Sequence, residues 1–316
     1  MAVKTQISKA DFEKILAQYA LGTFLRAEPI PQGTVQTNYF LHTSRGRFVF
    51  RYYENRTFES ALFESHLLAY LKKHAYPCPG PIKDGHGKTL GLFRQKPFMI
   101  CEYIDGQPIQ QPGEHHKQQL IQKAAQLNRL TRTYRPRYKK YRWNYDADLC
   151  RRLAQAEARK LHSQDAMDKY AWLDGQLSTL QLPRSMPKGI CHCDFHFSNV
   201  LFQEDQFAAL LDFDDANFTY LVFDLVGLIE AWAWTYPADT LDLNQARAVV
   251  QEYMKHRCLS AVEKRHLFDV YQLSILFDCI WYFARGCAGD FDEKRKIDYL
   301  HSLGREKFTE ALFADG

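Results

Sequence analysis

Three oxygen-bearing side chains stand at a spacing that suits chemistry on a phosphate. Asp194 and Asn199 lie in His192-Cys193-Asp194-Phe195-His196-Phe197-Ser198-Asn199, and Asp212 follows in Leu211-Asp212-Phe213-Asp214-Asp215. Phosphoryl transfer asks little of a protein: a carboxylate to orient or deprotonate the attacking hydroxyl, and oxygen ligands for magnesium. Asp194, Asn199 and Asp212 supply that set. The flanking apolar runs, Val200–Phe202 and Phe207–Phe213, hold these residues on a small hairpin. A capped turn carrying surface acids is the plain alternative, and the joint spacing and apolar flanks weigh against it. Cys191, His192, Cys193 and His196 could suggest zinc, but Cys-x-Cys without a second pair is poor spacing for a structural zinc site. Asp214, two residues beyond Asp212, could meet a substrate ammonium, whereas Asp215 reads as a solvated turn. Trp232 and Trp234, near Tyr220 and Tyr236, could cage a cationic substrate. Helix packing is the commoner role for such residues.

Before residue 104 the pattern is β-rich. Ser8 with Asp11 opens a helix that ends near Gly22. Strands are predicted over Thr23–Ile30, Thr37–Thr43, Arg47–Tyr53, Thr89–Phe93 and Pro97–Tyr103, with a hairpin turn at Ser44-Arg45-Gly46. Apolar residues at helical spacing place a helix over Phe58–His74, stopped by Pro77, Pro79, Gly80 and Pro81. After Gly106 the spacing predicts helices over Glu114–Leu130, Asp146–His162, Ser163–Leu182, Leu221–Trp234, Leu243–Arg257 and Ala261–Arg285, the last capped by Ser260 and Glu263. The only strand-like pieces there are Val200–Phe202 and Phe207–Phe213. Trp281, Tyr282 and Phe283 read as helix core. The expected fold class is α+β and bilobal: a small antiparallel β-rich lobe over 1–103 and a larger helical lobe over 104–316. A ligand site is expected in a cleft between two such lobes.

With 316 residues, 46% hydrophobic and 25% charged, the chain has enough apolar residues for a sizeable core. A net charge of +4 is too mild for a nucleic-acid binder, and the basic cluster from Arg132 to Arg142 reads as a solvated loop. The N-terminus lacks the apolar run of a signal peptide, and no apolar stretch is long enough to cross a bilayer. The 8 cysteines are scattered, several in apolar runs, which suits a reduced, cytoplasmic protein with no disulfide framework. No membrane partner is expected.

The pattern His192-x-Asp194-x4-Asn199, followed by an apolar strand ending in Leu211-Asp212, resembles the aminoglycoside phosphotransferase and choline kinase superfamily, which shares the protein-kinase fold. Within it the type II homoserine kinases are most similar. Asn38-Tyr39-Phe40, Arg47-Phe48-Val49, Pro77-Cys78-Pro79-Gly80-Pro81 and Phe223-Asp224-Leu225 extend the resemblance over nearly the whole chain. It implies Asp194 as the catalytic base, Asn199 and Asp212 as Mg²⁺ ligands, His192 as a brace for the loop and Asp224 as a tie from the following helix. It also implies that Glu102, Tyr103 and the residues to Gly106 bind the adenine of ATP, with Met99 behind. Arg51 occupies the position of the usual phosphate-binding Lys; Glu64 is its expected partner and Glu59 the rival. The phosphate-covering turn from Gln32 to Asn38 has one glycine, Gly33. Phe197 stands where homoserine kinases carry Arg. His196 and Asp212-Phe213-Asp214-Asp215 are similar to stress-response protein kinases and antibiotic kinases. The resemblance thus implies ATP- and Mg²⁺-dependent transfer to a hydroxyl of a small amine-containing metabolite, homoserine first among them. A stress-response Ser/Thr protein kinase and a non-catalytic nucleotide-binding protein are the alternatives.

Overall fold

The computed structural model describes residues 5–31, 35–236, 238–281, 283 and 292–314. Chain order begins α1 (Lys9–Leu16), β1 (Phe24–Pro29), β2 (Thr37–Thr43), β3 (Gly46–Tyr52), α2 (Phe58–Lys73), β4 (Gly91–Phe93) and β5 (Lys96–Glu102). It continues with α3 (Glu114–Thr131), α4 (Ala147–Leu161), α5 (Gln164–Thr179), β6 (Lys188–Cys191), β7 (Val200–Gln203), β8 (Gln206–Leu210) and β9 (Asn217–Tyr220). It ends with α6 (Phe223–Ala233), β10 (Trp234–Thr235), β11 (Thr240–Leu241), α7 (Leu243–His256), α8 (Ala261–Trp281), α9 (Asp292–Leu303) and α10 (Arg305–Phe313). Two compact units result: residues 1–111, 136–142 and 197–214 form the first, and 112–135, 143–196 and 215–316 the second.

In the first unit β1 to β5 form one antiparallel sheet in the order β1-β2-β3-β5-β4. Strand alternation decides which side chains share a face. Tyr39, Leu41, Phe50, Phe98 and Ile100 point to one side and close over Phe12 of α1. Phe12 meets Tyr39 and Phe50 edge-on at 5.3 Å each. Ser8 and Asp11 cap α1 reciprocally, which fixes the helix over that face. Arg51 pairs in register with Met99, so both leave the sheet on the opposite side. Thr57 caps α2, whose buried face includes Phe63, Glu64, Leu67 and Leu71.

The β7–β8 hairpin belongs to this unit, beyond the boundary expected at 103. Its two-residue turn, Glu204-Asp205, has φ of 49° and 61° at the central positions. That matches the twist of the flanking strands. Phe202 and Gln107 exchange both backbone hydrogen bonds at 2.9 Å, and the Leu210 N–H donates to the Pro77 carbonyl. Gly106, at φ +152°, admits this approach, since a Cβ there would lie 3.0 Å from the Phe202 carbonyl oxygen. The strand predicted to reach Phe213 stops at Leu210, because Asp212 turns the chain at φ 54°.

The second unit is helical, with two small antiparallel pairs, β6–β9 and β10–β11, absent from the sequence reading. Each strand has only two to four residues, too few for an alternation to register. Gly189 of β6 lies where a Cβ would meet the Leu221 side chain at 2.5 Å and the Thr131 backbone. The helix expected to Leu182 ends at Thr179, and α9 and α10 were not anticipated. Ser260 and Glu263 do cap α8. Phe283 is buried; Tyr282 lies outside the described residues.

Candidate active site

In the second unit β6 delivers the chain into the loop carrying Asp194. Asp224, in the first turn of α6, secures that loop: its carboxylate accepts the Cys193 N–H at 2.9 Å and the His192 N–H at 3.2 Å. The Asn128 amide of α3 donates to the same carboxylate at 2.8 Å, and the Tyr253 hydroxyl donates to Asn128 at 2.8 Å. Arg257 reaches Tyr253 at 3.3 Å. Burial pushes the Asp224 carboxyl upward, against the pull of these donors. Cys193 takes φ +64°, a left-handed turn that directs the chain into Asp194, which is exposed. His192 is fully buried and meets Phe195 edge-on at 5.4 Å. The Cys193 sulfur receives the Asn217 amide at 3.1 Å, and all described cysteines are free.

Asp194 and His196 line a cavity of about 760 Å³ within this unit. Phe223, Asp224, Gly227, Glu230 and Ala231 contribute from α6, and Ser274, Phe277 and Asp278 from α8. Helical spacing puts each set on one face. The aromatic cage that Trp232 and Trp234, with Tyr220 and Tyr236, could have made does not form, and packing is the role of most of them. Trp232 lies on the other side of α6, in a shallow groove with Glu114, Lys117 and Val249. Trp234 is buried against Tyr299, and Tyr220 is buried with Lys188 over its ring. Tyr236 alone of that group lines the cavity.

The first unit gathers the remaining residues. Arg51 Nε lies 3.6 Å from Glu64, and its Nη2 lies 3.0 Å from Asp212 and 3.4 Å from Asp214. Burial works against its charge, but Glu64, Asp212 and Asp214 hold the guanidinium protonated. Burial raises Glu64, with Arg51 opposing. Glu64, not Glu59, is thus the acid beside Arg51. Asp214 does not await a substrate ammonium. It is 7% exposed, bound by Arg56 at 2.9 Å and by the Gln36 amide at 3.1 Å. Despite its burial, Arg51, Arg56 and Arg142 hold its carboxyl well below the usual range.

Gln36, Arg56 and Arg142 escaped the sequence reading. Arg142 ends the basic cluster taken there as a solvated loop. It is in fact 6% exposed and donates to the Phe213 and Asp214 carbonyls. Nothing in the local run of basic residues names a partner for this one arginine.

Asn199 closes a 3₁₀ turn, and its carbonyl accepts the Leu211 N–H at 2.7 Å. That bond sets Asn199 beside the residue preceding Asp212. An amide and a half-exposed carboxylate suit magnesium, which takes a few protein oxygens and keeps waters or phosphates for the rest. Met99 is buried. Glu102 is held by Lys72 at 2.8 Å and the Gly80 N–H at 3.0 Å, and Arg47 lies 4.1 Å over the Tyr103 ring. Gly33 lies outside the described residues.

Residues 26–259 match the phosphotransferase enzyme family. A homoserine kinase of Methylobacterium radiotolerans is 30% identical over 303 residues, covering 95% of this chain and 89% of the relative. One from Parvibaculum lavamentivorans is 30% identical over 314 residues, with the same coverage. Among solved structures, an amicoumacin kinase in complex with AMP-PNP and Ca²⁺ superposes with a TM-score of 0.67 at 14% identity, covering 93% of this chain and 96% of that one. A microcompartment-associated aminopropanol kinase superposes at 0.62 and 16% identity, covering 92% and 94%. These structures share the α+β bilobal fold. The matched span and the near full-length relatives establish that this chain belongs to the phosphotransferase enzyme family and is a small-molecule kinase with an alcohol group as acceptor.

Proposed function

We propose that the protein moves the γ-phosphate of ATP, with Mg²⁺, to a hydroxyl of a small amine-containing metabolite. The observation that carries this is Asp194, exposed on a loop clamped by Asp224 and lining an acid-rich cavity large enough for a small molecule. In this reading Asp194 accepts the hydroxyl proton of the acceptor, and the Asp224–Asn128–Tyr253 chain keeps it in position. Arg51, aligned by Glu64, binds the nucleotide phosphates. Asn199 and Asp212 hold the magnesium, which neutralises phosphate charge when bound. The 89 relatives that match include several named homoserine kinase, so homoserine is the first acceptor to test. Use of ATP is supported by solved relatives in complex with AMP-PNP or ADP.

The test is a steady-state transfer assay with Mg²⁺–ATP against homoserine, 3-aminopropan-1-ol, choline, an aminoglycoside and a generic protein substrate. Transfer to an amine-bearing small molecule is expected. Robust phosphorylation of the protein substrate alone would replace this reading with a protein kinase. Calorimetric titration of Mg²⁺–nucleotide into Asp212→Ala checks the metal assignment. Magnesium-dependent affinity should vanish, because the ion loses its main protein carboxylate.

A further inference from the structure

We propose that Arg142 is a positioning residue for Asp212: its guanidinium holds the peptide between Phe213 and Asp214, and that peptide sets the carboxylate that meets magnesium. This rests on the reading of Asp212 as a metal ligand and deepens it. Asp212 has φ of 54°, a left-handed conformation that aspartate adopts more readily than most residues but that persists only when its surroundings hold it. Two donors reach its Oδ1, Arg51 Nη2 at 3.0 Å and the Asp214 N–H at 3.4 Å, and they leave Oδ2 to an ion. The Asp214 N–H belongs to the same planar trans peptide as the Phe213 carbonyl, so the two groups point in opposite directions. Arg142 Nη2 donates to the Phe213 carbonyl at 3.2 Å and also to the Asp214 carbonyl. Fixing the carbonyl on one side of the peptide fixes, on the other, the N–H that faces Asp212.

Arg142 is itself held by α2. Its guanidinium lies 5.1 Å from the Phe63 ring, and its Nη1 donates to the Ser60 hydroxyl at 3.3 Å. Residues 136–142 belong to the first compact unit, although the flanking 112–135 and 143–196 belong to the second. The Tyr138 ring sits 5.4 Å from His66 of α2, and a 3₁₀ turn over Lys139–Tyr141 closes as the Arg142 N–H donates to the Lys139 carbonyl at 3.1 Å. Arg132, Arg135, Arg137, Lys139 and Lys140 are exposed, and Arg142 alone of this basic run is buried. A guanidinium loses its hydration on burial, and the carbonyls it meets make up for that loss. The Asp214 side of the turn is gripped as well. Arg56 Nη2 donates to the Asp214 carbonyl at 3.0 Å and to its carboxylate at 2.9 Å. The rival role for Arg142 is that of a counter-charge for Glu64 and Asp214. A counter-charge needs only a positive charge, which lysine also supplies. Holding two carbonyls from one nitrogen while the other reaches Ser60 needs the planar fork of arginine.

The experiment is calorimetric titration of Mg²⁺ into the full-length protein with ADP present, alongside titration of ADP in EDTA. Arg142→Lys keeps the buried charge and loses the fork. It should raise the Mg²⁺ concentration that half-saturates the ADP complex by roughly 10–100-fold, the loss typical of a residue that orients a metal ligand, while ADP affinity without metal holds. Mn²⁺ titration followed by electron paramagnetic resonance should show the same weakening. Ser60→Ala is the milder variant should Arg142→Lys not fold, since it loosens the guanidinium without removing a charge. It should move the Mg²⁺ requirement in the same direction by about two- to tenfold, the worth of one hydrogen bond. An unchanged Mg²⁺ requirement in folded Arg142→Lys would make the arginine a counter-charge only and overturn the proposal. Equal loss of ADP affinity with and without metal would do the same, because it reports general distortion. Asp212→Ala separates the two levels. If it leaves the Mg²⁺ requirement unchanged, the metal assignment falls and this proposal with it. If it abolishes magnesium-dependent affinity while Arg142→Lys and Ser60→Ala both behave as wild type, the positioning role alone falls.

Discussion

Asp194 has a carboxylate on an exposed turn, and the loop before it is secured by the His192 and Cys193 N–H groups, which donate to Asp224. Changing Asp194→Asn keeps the side chain's shape while removing the proposed proton acceptor. Turnover is expected to fall by about 10²–10⁴, with nucleotide affinity retained; rapid-quench kinetics alongside nucleotide titration checks both. Near-wild-type turnover would remove Asp194 from the chemistry. Arg51 is the counter-charge for Glu64, which is 2% exposed. Replacing it by methionine leaves that acid buried beside Asp214 with its main cation gone. A stability loss of about 3–5 kcal/mol is expected, as for breaking other buried pairs. Urea denaturation reads it directly, and a loss below about 1 kcal/mol would mean that Arg56 and Arg142 suffice.

At the scale of elements, α3, α6 and α7 converge on the loop carrying Asp194 through one polar chain. Asn128 of α3 donates to Asp224 of α6 and accepts from Tyr253 of α7, all three being buried. Asn128→Ala removes both bonds at once and strands the Tyr253 hydroxyl. Each buried group left without a partner costs about 1–3 kcal/mol. The variant should lose stability on that order, and its turnover should fall while the Michaelis constant for nucleotide holds. Stability lost with turnover intact would make the chain a packing device and nothing more. The β7–β8 hairpin is secured differently, by backbone bonds to Gln107 and Pro77 and by the clearance at Gly106.

For the molecule as a whole, the acid cluster predicts a pH dependence of stability. Burial, with Glu230 and Glu293 adding to it and Lys296 opposing, raises Asp278 well above 3.8. Below pH 3.8 the folded and unfolded states both carry its proton, and the group contributes no difference. As pH rises past that value the unfolded chain ionises first, so folding loses stability until Asp278 itself ionises. Asp278→Asn mimics the protonated form and removes the effect. The variant should match wild type near pH 4 and melt progressively higher than wild type toward pH 8. Melting curves across that range test it; a constant difference would mean that Asp278 is ionised throughout.

Much of this protein was readable from residue order. Asp194, Asn199 and Asp212 stand in local motifs, and it is on that spacing that the proposed chemistry rests. Periodicity gave β2 over Thr37–Thr43 to the residue and α2 to within one. Short-range rules of capping and alternation suffice for such elements, because the interactions concerned lie within a few residues. The short pairs β6–β9 and β10–β11 were invisible, since strands so brief owe their form to what packs on them. Tertiary structure alone decided how charges pair. Gln36 and Asp214 are 178 residues apart, and Arg142 meets the Asp214 carbonyl from 72 residues away. The same separation hid the fate of Asp214, Trp232 and Trp234, and it drew Glu230, Asp278 and Glu293 together from three helices. A side chain's type states what it can bond. Which partner it meets, and whether water is excluded there, is settled only when distant segments pack.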